Sequence, residues 1–217
     1  MIVGIAGYKN TGKNTAAEAL VNGHGFEEYS FAGPIKKACS AAFDIPYAVL
    51  EHTDKKDAPF PHPMYIDEIE LFGLIRHLQK YQPITNKDIA SMILLSANVP
   101  LNTPRALLQF IGTELVRAVV DTNFWTNALL KSIADVPNAV VTDARFPNER
   151  AALRTAGAKL VRIDRPGQTS SGHSSESSMG DDSEYDLVIS NSGSIADLHN
   201  KMNGFYVGVS ALKRIGL

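Results

Sequence analysis

The chain has 217 residues, 44% of them hydrophobic, which suits one domain with a substantial core and leaves room for an inserted subdomain. A formal net charge of −2 excludes a global basic field drawing it to nucleic acid or an anionic membrane, so basic residues that handle anions must be local. The single cysteine, Cys39, excludes an intrachain disulfide and fits a reducing cytoplasm, and its small-residue surroundings predict buried packing.

In chain order, Met1 to Ala6 reads as a short apolar strand, Gly7 to Thr15 as a glycine-bearing turn, and Gly12 to Val21 as the helix it opens. Met1 to Ala6 is too short and lacks the charged flank of a signal peptide. Phe26 to Phe31 follows as a strand, and Gly33-Pro34 starts a helix to about Phe43. From 45 to 101 the texture changes: three prolines punctuate a charged loop, and helices are expected near Ile66 to Gln79 and Lys87 to Ala97. This stretch reads as a helical insertion. Asn102 or Thr103 caps the next helix, with Pro104 at its first position and an end near Val120, and a further helix covers about Asn123 to Ala134. Ala139 to Thr142 is a buried strand ending at Asp143, Pro147 to Ala156 a helix, Lys159 to Asp164 and Asp186 to Ser190 strands, with a last helix from about Ser194. Between the last two strands, 166–184 is rich in Ser, Gly and Asp and reads as a lid loop. Alternating strands and helices predict an α/β fold with a mostly parallel sheet. No apolar run is long enough to span a bilayer, so a soluble cytoplasmic protein is expected.

The first turn carries the strongest signal. Gly7-Tyr-Lys-Asn-Thr-Gly-Lys-Asn-Thr15, after a strand and before a helix, has the layout of a nucleoside-triphosphate phosphate cradle. Glycines let the chain wrap so that backbone N–H groups point inward, the helix N-terminus adds positive potential, and Lys13 reaches the outer phosphates. Asn14 stands where Ser or Thr ordinarily touches magnesium. Asp143, at the end of a buried strand, sits where a carboxylate holds magnesium or its water in such folds, though a turn or helix cap is the other reading. Arg145 and Glu149 reach the cleft from the same turn, and Arg145 offers planar bidentate charge to a phosphate. On the Pro104 helix, Leu107, Leu108, Ile111, Leu115 and Val119 share one arc, while Arg105, Gln109, Gly112 and Thr113 share another. A glycine inside a helix costs about 1 kcal/mol relative to alanine, so Gly112 suggests close approach by a ligand or another backbone. Trp125 either stacks on a base or fills core.

The chain resembles the bacteriophage deoxynucleoside monophosphate kinases. Besides Gly7 to Thr15, the resemblance rests on Phe31-Ala-Gly-Pro-Ile-Lys36, Arg105 to Thr113, Asn123-Phe-Trp125, Thr142 to Glu149, Arg162 to Gly167, His173-Ser-Ser-Glu176 and Asp186 to Ser194. These pieces span nearly the whole chain in order, and only about Ile45 to Leu101 lacks a counterpart. The family often has Gly-Lys-Asp-Thr where this chain has Gly-Lys-Asn-Thr, which leaves Asn14, Thr15 and Asp143 as alternative magnesium ligands. The resemblance implies a P-loop, nucleoside-monophosphate-kinase-like three-layer α/β/α fold with a helical insertion. It implies transfer of the γ-phosphoryl of ATP to a dNMP with Mg2+. Asn10, Thr11, Gly12, Lys13, Asn14 and Thr15 would hold ATP phosphates, and Asn191 would lie beside the adenine. Lys36, Arg105 and Arg145 would bind the dNMP phosphate, while Gln109, Gly112, Thr113 and Trp125 would shape the nucleoside pocket with Glu149 in reach. Lys13, Asp143, Arg145 and Arg165 would form the catalytic group, with Arg162 and Arg165 flanking the lid that bears His173 and Glu176. Such a reaction needs no general base, because the accepting phosphate oxygen is already ionised; alignment, charge neutralisation and exclusion of water suffice. The competing readings are a dephospho-coenzyme A or phosphomevalonate kinase and a non-catalytic ATP-binding module. Partners are expected to be nucleotides, with no nucleic acid and no membrane; a homodimer contact through the insertion is left open, and a phage-encoded protein would work in the host cytoplasm.

Overall fold

The computed structural model describes residues 1–168 and 180–215. His173, Glu176 and most of the expected lid lie outside these residues. In chain order, β1 (Ile2–Ala6) feeds α1 (Lys13–His24), and β2 (Glu27–Tyr29) follows. Seven helices come next: α2 (Gly33–Ala42), α3 (Tyr47–Glu51), α4 (Thr53–Asp57), α5 (Glu68–Leu78), α6 (Asn86–Ser96), α7 (Pro104–Gln109) and α8 (Phe124–Ile133). The chain then forms β3 (Ala139–Val141), α9 (Pro147–Thr155), β4 (Lys159–Asp164), a 3-10 turn at Asp182–Glu184, β5 (Leu187–Ser190) and α10 (Ile195–Arg214). Two compact units result, one made of Met1–Phe31 with Ser132–Leu217, the other of Ala32–Lys131.

The first unit is built on a five-stranded sheet in the order β2-β3-β1-β4-β5, with every neighbouring pair parallel. Successive side chains on a strand point to opposite faces. Val3 and Ile5 of β1, with Val161 and Ile163 of β4, pack on Ala16 and Leu20 of α1 and Leu198 and Met202 of α10. Gly4 faces the other way, where a Cβ would meet Leu153 of α9 at 2.9 Å and Leu160 at 2.7 Å. Helices therefore cover both faces, giving the expected α/β/α layering and the P-loop kinase-like fold class.

The second unit is mainly helical, with one antiparallel bridge between Met64 and Leu101. Leu71, Leu74, Ile75 and Leu78 line one side of α5 and pack with Ile35 and Cys39 of α2, Leu107 of α7 and Phe124 and Trp125 of α8. Two capping boxes set helix starts: Asp67 and Glu70 exchange bonds of 2.8 and 3.0 Å at α5, and Thr85 and Asp88 do the same at α6. This unit is wider than the 45–101 stretch seen as a change of texture, because α2, α7 and α8 share its core. The charged loop expected from His52 to His62 contains α4, and α3 lies just before it.

The helix expected to run from Pro104 to Val120 is corrected. It is α-helical only to Gln109 and π-helical over Phe110–Arg117, where Ala118 N–H bonds the Thr113 carbonyl at 3.1 Å. A π-segment turns less per residue, so the 100° arcs drift. Phe110, Gly112 and Val116 are buried, whereas Leu108 and Val119 are only half-buried.

Candidate active site

The turn after β1 is wound tightly. Gly7 has φ +148°, and a Cβ on it would meet the Ile163 carbonyl oxygen at 2.5 Å; Asn10 and Gly12 also have positive φ, at 63° and 100°. Thr11 is fully buried and its hydroxyl donates to the Tyr8 carbonyl at 3.0 Å. Lys13 is buried, and its Nζ donates to the carbonyls of Gly7 at 2.9 Å and Tyr8 at 2.6 Å. Asn191, after β5, donates from Nδ2 to the Thr11 carbonyl at 2.8 Å. The start of α1 has no acidic residue in its first turn and no side-chain cap, so its own first turn does not offset the partial positive charge of the helix N-terminus. Asn14 is exposed and Thr15 half-buried at this end.

The second turn leaves the neighbouring strand. β1 and β3 are parallel and adjacent, and the Ala144 N–H bonds the Ile5 carbonyl at 3.3 Å. The phosphate-loop turn and the Asp143–Arg145 turn thus emerge from the same carboxyl edge, where open α/β sheets bind ligands. Asp143 Oδ1 accepts the Phe31 N–H at 2.7 Å. Glu149 is buried, and its Oε2 accepts the N–H groups of Arg145 and Phe146 at 3.0 Å each. This carboxylate, expected within reach of the nucleotide, caps α9 and fixes the Arg145 turn. Arg145 is half-buried, and its Nε is buried without a hydrogen-bond partner among the described residues. A buried guanidinium nitrogen in that state carries donor capacity that no described residue meets.

Further along the same edge, Arg162 is held by Asp164 at 2.9 Å and by Asp182 at 2.5 Å, with its guanidinium 5.3 Å from the Tyr185 ring centre. It helps line a cavity of about 150 Å³ with Tyr8, Asp164, Gln168 and Gly180. Arg165, expected in the catalytic group, stands exposed just past β4.

The helical unit holds the remaining expected residues. Lys36 on α2 lies 3.7 Å from the Glu51 carboxylate, and Arg105 on α7 grips both oxygens of Asp57. That hydrogen bonding to Asp57 raises the Arg105 pKa above its ordinary value. Lys56 on α4 joins them, and the sequence reading had missed it. Burial first, then repulsion from Lys36 and Arg105, holds its ammonium below the ordinary lysine value. The signal was the run Glu51 to Asp57, which looks like solvated loop until α4 folds it. Gln109 and Thr113 are exposed. Gly112 is buried: the near neighbours of a Cβ built there are side chains, Ile35 Cδ1 at 2.8 Å and Trp125 Nε1 at 3.9 Å. Of the two readings open for Trp125, its packing is that of a core residue, not a wall of a nucleoside pocket. It is 2% exposed, its Nε1–H donates to the Gly112 carbonyl at 2.9 Å, and Phe124 meets it edge-on at 5.0 Å.

Among the described residues no three His, Cys, Asp or Glu cluster as a metal cage, and no helix is long and apolar enough to cross a membrane. The sequence pattern of deoxynucleotide monophosphate kinases matches residues 76–202, well over half the chain. The chain belongs to that family. The deoxynucleotide monophosphate kinase of phage T4 is 25% identical over 93% of this chain and 96% of its own length. The phage RB69 kinase of the same name is 25% identical over 93% of this chain and 97% of its own length. The deoxynucleoside-5'-monophosphate kinase of phage T5 is 29% identical over 71% of this chain and 72% of its own.

Proposed function

We propose that the protein is a deoxynucleoside monophosphate kinase that moves the γ-phosphoryl group of ATP to a dNMP, releasing dNDP and ADP. The observation that carries this reading is the phosphate loop at the carboxyl end of β1, with Lys13 folded onto the carbonyls of Gly7 and Tyr8, in a chain of this family. Those carbonyls are neutral, so an arriving triphosphate outcompetes them for the ammonium. Lys13 then binds the β- and γ-phosphates, the α1 amides bind the phosphate oxygens, and Asn191 holds the loop from outside through Thr11. Arg145, held by Glu149, meets the acceptor phosphate.

The donors at the loop fit Mg2+. Asn14, Thr15 and Asp143 supply at most an amide oxygen, a hydroxyl and a carboxylate, and Mg2+ in kinases relies on few protein ligands with waters and substrate phosphates. When bound, it would neutralise charge on the phosphates. Lys36, Lys56 and Arg105 form a second basic group, suited to the dNMP, with Gln109 and Thr113 exposed nearby in the chain. No residue acts as general base, because the nucleophile is a phosphate oxygen already ionised at neutral pH.

A dephospho-coenzyme A or phosphomevalonate kinase reaction and a non-catalytic module are the readings this displaces. A coupled ADP-release assay over the four dNMPs, the NMPs and phosphomevalonate separates them. Turnover with at least one dNMP and none with phosphomevalonate is expected; ATP binding with no turnover on any nucleotide would sink the proposal.

A further inference from the structure

Arg150 lies one residue past Glu149 in α9 and is not a residue that a phosphate site calls for. Its side chain is 3% exposed. A guanidinium buried this far is strongly destabilising unless its donors are met. Nη1 donates to the Arg145 carbonyl at 2.7 Å. Nε and Nη2 donate to Glu184 Oε2 at 3.1 and 2.7 Å, and the guanidinium carbon sits 5.7 Å from the Tyr185 ring centre. Glu184 is held in turn: its backbone carbonyl accepts from Arg154 at 2.7 Å, and its carboxylate fills the space above Gly180, where a Cβ would collide with it.

These contacts converge on one residue. The Arg145 N–H is fixed by Glu149 and its carbonyl by Arg150, so both peptide groups flanking its Cα are immobilised while its side chain stays available. Glu149 comes from the same helix turn. Glu184 comes from a segment 34 residues away, between β4 and β5. We propose that Arg150 and Glu184 are a positioning pair that fixes the backbone of Arg145 and so aims its guanidinium at the acceptor phosphate, an inference that rests on the kinase reading above. A side chain as long as arginine amplifies any rotation of its backbone, and a misplacement of about 1 Å at a reacting group loses on the order of 100-fold in rate.

The test is a double-mutant cycle in the full chain, using kcat/KM for dNMP at saturating ATP, calorimetric ATP binding and a thermal melt. Lysine at position 150 keeps the charge, but its donors radiate from one nitrogen and do not reproduce the planar fork whose separate nitrogens reach the Arg145 carbonyl and the Glu184 carboxylate. Arg150→Lys is expected to lose about 10- to 100-fold in kcat/KM with ATP affinity within twofold. Glu184→Gln, on a side chain 46% exposed and therefore tolerant of change, is expected to lose roughly 10-fold. In an Arg145→Ala background both losses should vanish, because the pair acts only through Arg145. Equal losses in both backgrounds would mark Arg150 as merely structural and overturn the proposal, as would kcat/KM within twofold of wild type in both single variants. If Arg150→Lys fails to fold, Glu184→Gln alone decides by the same criterion. Full activity of Arg145→Ala would instead remove the role given to Arg145, and the positioning pair with it.

Discussion

Trp125 is where stability and substrate binding can be told apart most cleanly. Replacing it by phenylalanine removes the Nε1–H that bonds the Gly112 carbonyl and shortens a side chain enclosed by the helical core. One buried hydrogen bond is worth about 1 kcal/mol, rising to about 3 if the acceptor finds no other donor. The unfilled volume of the smaller ring adds roughly 1 kcal/mol if the surroundings relax little. The sum, about 2–4 kcal/mol, is a large part of ordinary domain stability. In urea, with a slope of about 2 kcal/mol per molar, the midpoint should fall by roughly 1–2 M. The transition must be followed by far-ultraviolet circular dichroism, since Trp125 is the only tryptophan and its fluorescence disappears with it. At low urea the KM for dNMP should stay within about threefold of wild type, as expected of a side chain distant from solvent. An unchanged midpoint with a tenfold rise in KM would refute this reasoning and return Trp125 to the nucleotide.

Lys13→Ala should lower turnover by at least about 100-fold with the melt nearly unchanged, because the side chain's bonds to Gly7 and Tyr8 are local to the loop; full activity would remove the central claim. Cys39 is fully buried, and burial pushes its thiol well above the ordinary cysteine range. An aromatic disulfide reagent at pH 8 should therefore react only after denaturation, and rapid labelling of native protein would contradict the packing. The Arg150 hydrogen bond holds the Glu184 carboxyl below the ordinary glutamate value. A carboxyl depressed in the folded state contributes stability that is complete above its unfolded value and is lost as pH falls through the folded one. The Arg150 contact should thus be intact at neutral pH and weaken only in acid, so Glu184→Gln should flatten the acid limb of a stability–pH curve. A limb identical to wild type would rule the contact out.

The sheet and its phosphate loop were legible because their signals are local. An apolar strand, glycines at φ positions that other residues resist, and a lysine at a fixed offset all lie within Met1 to Thr15. The α9 turn was half legible. Asp143, Arg145 and Glu149 stood out, but Glu149 was assigned to the nucleotide although it bonds backbone amides, a capping role that its spacing from Phe146 also allows. Arg150 and Glu184 were invisible, because their contact joins positions 34 apart across a segment with no periodic pattern. The Pro104 helix misled for a different reason. An arc drawn at 100° per residue presumes α-helix, and the π-segment from Phe110 turned Gly112 inward beneath Trp125. Lys56 was hidden by the assumption that a charged run is solvated.

The basic residues sort by what holds them. Arg105 is gripped by Asp57, Lys36 faces Glu51, Arg162 is bound by Asp164 and Asp182, and Arg150 by Glu184. Such pairing explains how a chain of net charge −2 carries several buried or half-buried cations. It also sets their function. A cation clamped by a carboxylate has its field largely neutralised and its geometry fixed, which suits it to hold other groups in place. Lys13 is held differently, its ammonium donating to the carbonyls of Gly7 and Tyr8. Arg145 differs again, with its backbone fixed by Glu149 and Arg150 and its buried Nε left without a hydrogen bond among the described residues. Preorganised charge that remains electrostatically unmet is what stabilises a transferring phosphoryl group. On the proposed kinase reading, Lys13 and Arg145 are the cations of the sheet unit that meet the phosphates, while Arg150 and Arg162 of the same unit hold protein groups in place.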